Sequence, residues 1–246
     1  MKKIITIIAI FFILAPFAMS QENAQKNKKI FIRFNYNMGF SEADKSISWS
    51  EEMYYENALY DINYKLERGN SFDVGVGYKF TDSIGVELGI DVCTRNISSD
   101  YSASIPHPLQ FNSPRNDQKT GSYKLTENVA YLNLIYSVAF SKFSVDIFGG
   151  PAYFLSSTEL INEINFSHSY PYESISIDAS NEKLEKNSFG FNAGSSLNFY
   201  LAKSFGIFIK AQYFSGSADF DPSSDIPELT LPLGGFKAGA GLKILF

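Results

Sequence analysis

Hydrophobic and polar positions alternate with a period of two along most of the chain beyond residue 30. In the segment between Gly69 and Thr81, large apolar side chains occupy the even positions from 72 to 80, and small or charged residues occupy the odd positions. Successive side chains of a β-strand point to opposite faces, so this pattern predicts a strand with one apolar and one polar face. A helical pattern of apolar residues does not persist for three turns anywhere after residue 20.

The alternation recurs in eight segments, which are 30–40, 72–80, 84–93, 132–140, 143–155, 189–199, 205–214 and 236–246. Three connections are short turns of two or three residues, and the other four are the long segments 41–70, 96–123, 156–187 and 215–233. This order predicts an all-β fold, a transmembrane eight-stranded antiparallel up-and-down β-barrel with short periplasmic turns and four long outer loops. Strands of about 10 residues, tilted near 45°, are long enough to cross a bilayer.

The polar face of the predicted barrel carries charges of both signs. Eleven of the 17 glycines share this face, as expected where an eight-stranded lumen has little room for side chains. An unpaired charge in such a lumen loses its hydration, so we expect a lumen network of ion pairs. Its candidate members are Arg33, Asp73, Lys79, Glu87, Asp91, Asp146, Lys210, Lys237 and Lys243. The opposite, apolar face is then expected to contact outer-membrane lipid.

The fourth strand changes its pattern near residue 131. Tyr123, Leu125, Val129 and Tyr131 place apolar groups on odd positions, whereas apolar groups from Leu132 onward fall on even positions. One extra residue in the strand would restore the facing, so the sequence predicts a β-bulge between residues 129 and 132.

The N-terminus has the pattern of a secretory signal peptide. Lys2 and Lys3 precede an apolar run over residues 4–17, and small residues flank Met19 before Gln21. We predict a signal peptide over residues 1–20, a periplasmic segment over 21–29 and an outer-membrane barrel over 30–246. A membrane anchor is the alternative, but the apolar run of 14 residues would reach only about 21 Å of a roughly 30 Å hydrocarbon core.

Together with these features, the segment 148–151 (FGGP) and the terminal segment 239–246 (GAGLKILF) resemble the outer-membrane β-barrel domain family that includes PorT-like proteins and OmpA-type eight-stranded barrels. The resemblance covers essentially the whole mature chain. It implies the cell outer membrane of a Gram-negative bacterium as the location, and it implies that Phe246 belongs to the signal read by the outer-membrane assembly machinery. Members of this family have varied roles, including parts of secretion systems, so the resemblance does not select one function.

Composition and charge exclude several kinds of chemistry. The formal net charge is −5, which leaves no basic surface typical of nucleic-acid binding. One cysteine and two histidines are too few for a disulfide framework or a zinc ribbon. The four long segments hold 19 acidic and 7 basic residues, whereas the rest of the mature chain has an excess of 5 basic residues. The outer segments are therefore acidic as a group.

Candidate catalytic and metal-binding residues are few. His107 and His168 are the only bases suited to activating a serine, and both fall in predicted outer loops, where a solvated surface histidine is the favoured interpretation. Acidic side chains between residues 219 and 228 could offer oxygen ligands to Ca²⁺, but their spacing is not that of an EF-hand and favours a solvated loop. These acids are Asp219, Asp221, Asp225 and Glu228. We therefore assign no catalytic residue, no cofactor and no metal site.

Two main functional hypotheses remain. The first is a non-enzymatic barrel that binds a surface or periplasmic protein partner through its loops, or that serves as an anchor or as an assembly or secretion component. The second is a small pore or solute-transport barrel, which would need an unfilled lumen. A lipid-modifying outer-membrane enzyme is less favoured, because no serine and histidine are held together by the predicted strands.

Overall fold

The computed structural model describes residues 28–223 and 226–246, so the predicted signal peptide and most of the predicted periplasmic segment lie outside the described residues. Within these ranges the chain forms β-strands joined by turns. The strands are β1 (Ile30–Gly39), β2 (Ala43–Met53), β3 (Glu56–Leu66), β4 (Asn70–Lys79), β5 (Ile84–His107), β6 (Gln110–Phe140), β7 (Phe143–Ser167), β8 (Ser176–Ala202), β9 (Phe205–Phe220) and β10 (Leu229–Leu245). The described part of the chain contains no helix long and apolar enough to span a membrane.

Eight of these strands close into a ring of antiparallel neighbours. Going around the ring, β1 pairs with β4, then β5, β6, β7, β8, β9 and β10 follow, and β10 pairs with β1. The predicted eight-stranded up-and-down barrel is therefore confirmed. We call the end with the three short turns the turn end and the opposite end the hairpin end. The two remaining strands, β2 and β3, form a hairpin at the hairpin end, where β3 pairs with the second half of β5.

The four long connections are folded differently from the prediction. We expected loops over 41–70, 96–123, 156–187 and 215–233, but most of these residues extend the strands of the barrel or form the β2–β3 hairpin. β5 and β6 stay paired from Ile84↔Tyr136 to Ile105↔Arg115, and β7 and β8 stay paired as far as Ser167↔Ser176. The prediction of long loops was wrong because it used only the face pattern of a strand in lipid. In these strand extensions the apolar side chains point inward and the polar ones outward, the reverse of a strand that faces lipid.

A belt of outward apolar side chains surrounds the part of the barrel nearer the turn end. Val76, Leu88 and Leu134 are exposed on it. Pairs of aromatic rings, each with one exposed member, mark its two edges. Phe143 and Phe199 lie together at the turn end, with ring centroids 4.9 Å apart, and Tyr153 and Phe189 make a similar pair at 4.9 Å toward the hairpin end. An apolar band between aromatic girdles is the surface that a bilayer requires of a transmembrane barrel.

In strands that extend beyond this belt, the inner face becomes apolar and the outer face polar. In β6 the odd-numbered side chains point inward throughout, so that Tyr123, Leu125 and Val129 are buried while Leu132 and Leu134 are exposed. The β6–β7 ladder runs through this stretch in one register, from Val129↔Phe154 to Leu134↔Gly149. The predicted bulge is therefore wrong. The apolar positions change parity because the strand leaves a surrounding of lipid for one of water, and not because it gains a residue.

The extensions enclose a hydrophobic core of their own. Side chains from β2, β3, β5, β6, β7, β8, β9 and β10 contribute to it, among them Ile62, Ile97 and Leu160, each of which is fully buried. Tyr64 is also buried there, and its hydroxyl accepts a hydrogen bond from the backbone N–H of Ile161 at 3.2 Å. This burial raises the pKa of Tyr64 well above its ordinary value. The hairpin end of the barrel is thus a packed structure.

Candidate functional site

The lumen within the apolar belt is filled by charged side chains in contact with one another. Lys210 pairs with Asp73 at 2.6 Å, Lys237 with Asp91 at 2.5 Å and Lys243 with Asp146 at 3.0 Å. Arg33 pairs with Glu87 and lies 3.8 Å from Asp146. Eight of the nine predicted lumen residues therefore meet in ion pairs, and all eight are buried. Lys79, the ninth, lies at the turn end and makes no ion pair among the described residues.

Polar and aromatic groups complete the network around these charges. The hydroxyl of Tyr131 donates to Asp73 at 2.6 Å and lies 3.2 Å from Glu87, so it bridges two carboxylates. The lumen cations also lie over aromatic rings, for example the Lys243 ammonium 4.7 Å from the centroid of Phe31. Glycine provides the space for these rings, since a Cβ atom at Gly77 would overlap the ring of Phe31 and one at Gly89 would overlap that of Tyr131.

A further buried ion pair was missed in the sequence. Arg95 and Glu127 lie 2.9 Å apart, between the polar lumen and the apolar core of the extensions. The Arg95 guanidinium donates to the backbone carbonyl of Gly234, and the backbone N–H of Gly234 donates to Glu127 at 3.3 Å. Gly234 and Gly235 have φ values of 82° and 103°, a conformation that glycine adopts without strain. Arg95 and Glu127 occupy odd-numbered positions, as the other inward-facing residues of β5 and β6 do. This alternation could have predicted the pair from the sequence.

The tips of three hairpins at the hairpin end expose apolar and aromatic side chains. Tyr55 is 90% exposed, Phe111 75% and Tyr170 82%. We define the tip surface as these three residues together with Tyr54 and Leu109, which are also exposed. Its members lie in the β2–β3, β5–β6 and β7–β8 connections, except Phe111, which is the second residue of β6. Scattered single apolar residues are ordinary on a protein surface, but aromatic residues concentrated at adjacent tips are typical of a binding surface.

Polar contacts hold these tips to one another. The backbone N–H of Asn112 donates to Glu56 at 2.9 Å, which links the β5–β6 tip to the β2–β3 tip. Arg115 donates to the backbone carbonyl of Tyr172 at 3.2 Å, which links the β5–β6 tip to the β7–β8 tip. Tyr54, Tyr55, Asn112 and Tyr172 all have positive φ values, between 54° and 73°. Tyr54 and Tyr55 form the two-residue turn of the β2–β3 hairpin, in which both central residues need a positive φ, a conformation less favourable for tyrosine than for glycine.

The two histidines belong to this region. His107 is buried, so the interpretation of it as a solvated histidine was wrong, and its Nδ1 accepts a hydrogen bond from the backbone N–H of Leu109 at 3.1 Å. His168 is half-buried and lies 3.2 Å from Arg115. The ring of Tyr172 contacts both imidazoles. The strand extensions bring these residues together and bury His107, which a loop prediction could not show.

The acidic residues near the β9–β10 connection do not form a metal site in the described ranges. Asp219 accepts a hydrogen bond from the hydroxyl of Thr230 at 2.7 Å, while Asp225 lies outside the described residues. No three His, Cys, Asp or Glu side chains of residues 28–223 and 226–246 come together as a metal site would require.

Comparisons with known proteins agree with the fold. No family model and no curated protein matches the chain. Among solved structures, the outer membrane protein OprG from Pseudomonas aeruginosa is similar over 90% of this chain and 97% of that chain, with a TM-score of 0.55 and 11% identity. The attachment invasion locus protein Ail of Yersinia pestis is similar over 88% of this chain and 98% of that chain, with a TM-score of 0.40 and 13% identity. The likeness to OprG supports the barrel fold, and at this identity it does not extend to function.

Proposed function

We propose that this chain is a non-enzymatic barrel of the Gram-negative outer membrane, which presents the tip surface to a cationic protein partner outside the cell. The predicted signal peptide, the apolar belt and the fold support this location, and both described termini then lie on the periplasmic side with the short turns. The resemblance to PorT-like proteins adds assembly or secretion as the kind of process in which such a partner would act. Insertion would depend on the assembly machinery and on Phe246.

The filled interior supports a binding role over transport. Ion pairs and aromatic rings occupy the lumen within the belt, and the apolar core of the extensions occupies the hairpin end. Eight-stranded barrels leave room for little more than side chains, and within the belt this one fills that room with paired charges and rings. A solute would have to displace both layers, so we place the small-pore alternative second.

The tip surface is the observation that carries the proposal. It is rich in exposed aromatic rings, and hydrogen bonds between hairpins hold it together. Tyrosine and phenylalanine on a rigid base provide large contact areas at a low cost in conformational entropy, as they do in antibody binding sites. The acidic balance of the surrounding segments favours a partner of positive charge, since complementary charge accelerates association and excludes wrong partners.

Site-specific photo-crosslinking in intact cells tests this proposal. A photo-reactive residue at position 55, 111 or 170 should crosslink to one and the same partner. Matched control positions are Asn63 and Ser98, which lie on the outward face of the extensions away from the tips. The partner should then bind the purified barrel with an affinity that falls as salt rises, and the triple variant Tyr55→Ser, Phe111→Ser, Tyr170→Ser should abolish binding. Equal crosslinking at the tips and at the controls would contradict the proposal.

A further inference from the structure

A cavity of about 270 Å³ opens at the turn end of the barrel. Residues in or beside the three short turns line it, together with Leu245 and the segment that precedes β1. Three lysines are among the lining residues, namely Lys28, Lys29 and Lys79, and Asp82 is the one carboxylate. The cavity is separate from the tip surface, which lies at the opposite end of the barrel.

Lys79 is the residue that gives this cavity its chemistry. Its backbone N–H bonds the carbonyl of Lys29 at 2.7 Å, but its ammonium has no hydrogen bond or ion pair among the described residues. Arg33, Lys210, Lys237 and Lys243 each have a carboxylate partner. Lys79 is therefore the lumen cation that the network leaves without a counter-charge.

Among the described residues no lumen carboxylate forms an ion pair with Lys79, and Asp146 is engaged by other groups. Asp146 already accepts hydrogen bonds from Lys243 at 3.0 Å, Asn198 at 3.0 Å and Ser137 at 2.7 Å, and Arg33 lies 3.8 Å away. With Arg95 and Glu127 included, the lumen holds six cations and five carboxylates. The extra positive charge belongs to Lys79, which is half-buried at the cavity, where an anion would neutralise it.

Other groups around the cavity are suited to hold an anion. The ammonium of Lys28 is fixed at the rim by the hydroxyl of Ser204 and by the carbonyl of Leu245 at 3.0 Å. Ser141 and Thr81 bring hydroxyl groups to the lining. Hydroxyl and ammonium donors around a small cavity match the many acceptor oxygens of a phosphate group, for which lysine is a common point-charge ligand.

The lining also reaches the surface of the apolar belt. Phe80, one of the lining residues, is 56% exposed at the edge of the belt nearest the turns. At that level the headgroups of the adjacent leaflet would lie beside the cavity mouth, in the orientation of the proposed function. We propose that the cavity is a phosphate-binding site, and that its phosphate is carried by the headgroup of an anionic phospholipid or is a free phosphate ion.

Binding to the purified full-length barrel tests this site and separates the two sources. One arm measures inorganic phosphate binding by calorimetry in a neutral detergent. The other counts phosphatidylglycerol molecules retained in native mass spectrometry, with phosphatidylcholine as the zwitterionic control. Retention of phosphatidylglycerol alone identifies the headgroup as the source, and calorimetric binding of phosphate alone identifies the free ion. Failure of both ligands to bind would overturn the site.

Variants locate the binding. We expect Lys79→Met, which keeps the length of the side chain without its charge, to weaken binding about tenfold, in keeping with the loss of a charged hydrogen bond. Lys29 lies on the exposed rim of the cavity, so Lys29→Met should weaken binding without affecting folding. This variant keeps the test valid if Lys79→Met folds poorly. Lys65→Met, at the hairpin end, is the matched control and should bind as the unmodified protein does. Equal binding by all three variants would overturn the proposal, whatever the tip surface proves to bind.

Discussion

Arg95 and Glu127 lie 2.9 Å apart and satisfy both backbone groups of Gly234 at the level where the barrel interior changes from charged to apolar. From this level toward the hairpin end, β10 is hydrogen-bonded to β9 on one side but forms no strand pairing with β2 on the other. The ion pair therefore supplies hydrogen bonds that a neighbouring strand would otherwise provide. Because the pair also provides these hydrogen bonds, we expect that removing either of its two side chains lowers the stability of the barrel.

Removing one partner of this pair should destabilise the barrel strongly. We expect Arg95→Met or Glu127→Gln to lower the free energy of unfolding by about 3 to 5 kcal/mol, because each leaves a buried charge without its counter-charge. Urea unfolding of the barrel in lipid vesicles, followed by tryptophan fluorescence, measures this change. The exposed pair Arg68–Glu42 provides the control, since Arg68→Met should cost about 0 to 1 kcal/mol. Similar values for both variants would show that the Arg95 pair is not structurally special.

The lumen should be closed to ions by two layers in series. Planar-bilayer recordings of the unmodified barrel should show at most rare, small openings. Arg33→Ala loosens the ion-pair layer and Leu231→Ser loosens the apolar core of the extensions, so the double variant should conduct more than either single variant. A steady, large conductance from the unmodified protein would refute the closure and favour the transport hypothesis.

The exchange of faces along β6 predicts opposite tolerance to charge at two outward positions. Leu134 is 62% exposed on the apolar belt, and Leu134→Arg should cost about 2 to 4 kcal/mol of stability in a bilayer, as an arginine near the midplane does. Ser122 is also exposed and outward, but it lies on the extension beyond the belt. Ser122→Arg should leave the stability of refolded barrels almost unchanged. Equal costs would mean that the belt extends further than its apolar residues indicate.

The orientation of the barrel can be tested by surface proteolysis. A protease site introduced in the β7–β8 connection, between residues 168 and 175, should be cut in intact cells because it lies at the hairpin end. The same site introduced at residues 141–142, between β6 and β7, should be cut only after the outer membrane is permeabilised. The rest of the segment 156–187 should resist cleavage because it is paired in strands. The reverse pattern would invert the proposed topology.

The sequence alone determined the barrel strands within the apolar belt and the inward set of charged residues. It could do so because a strand between lipid and lumen has a strict period of two. Arg33, Glu87 and Asp146 each alternate with apolar neighbours, which places them on the face that points into the lumen. Which charges pair was decided by the tertiary structure. Lys210 meets Asp73 across 137 residues of chain, and only the closure of the ring brings them together.

The tertiary structure also decided what the long segments are. Odd-numbered side chains of β6 point inward at both Tyr123 and Tyr131, because the strand keeps one register. The apolar side chains nevertheless change from the outer face, as at Leu134, to the inner face, as at Tyr123, where lipid gives way to water. A pattern read along one strand cannot distinguish that exchange from a bulge, because both shift the apolar positions by one residue. The distinction depends on which solvent surrounds each level of the barrel, and that is a property of the assembled ring in its membrane.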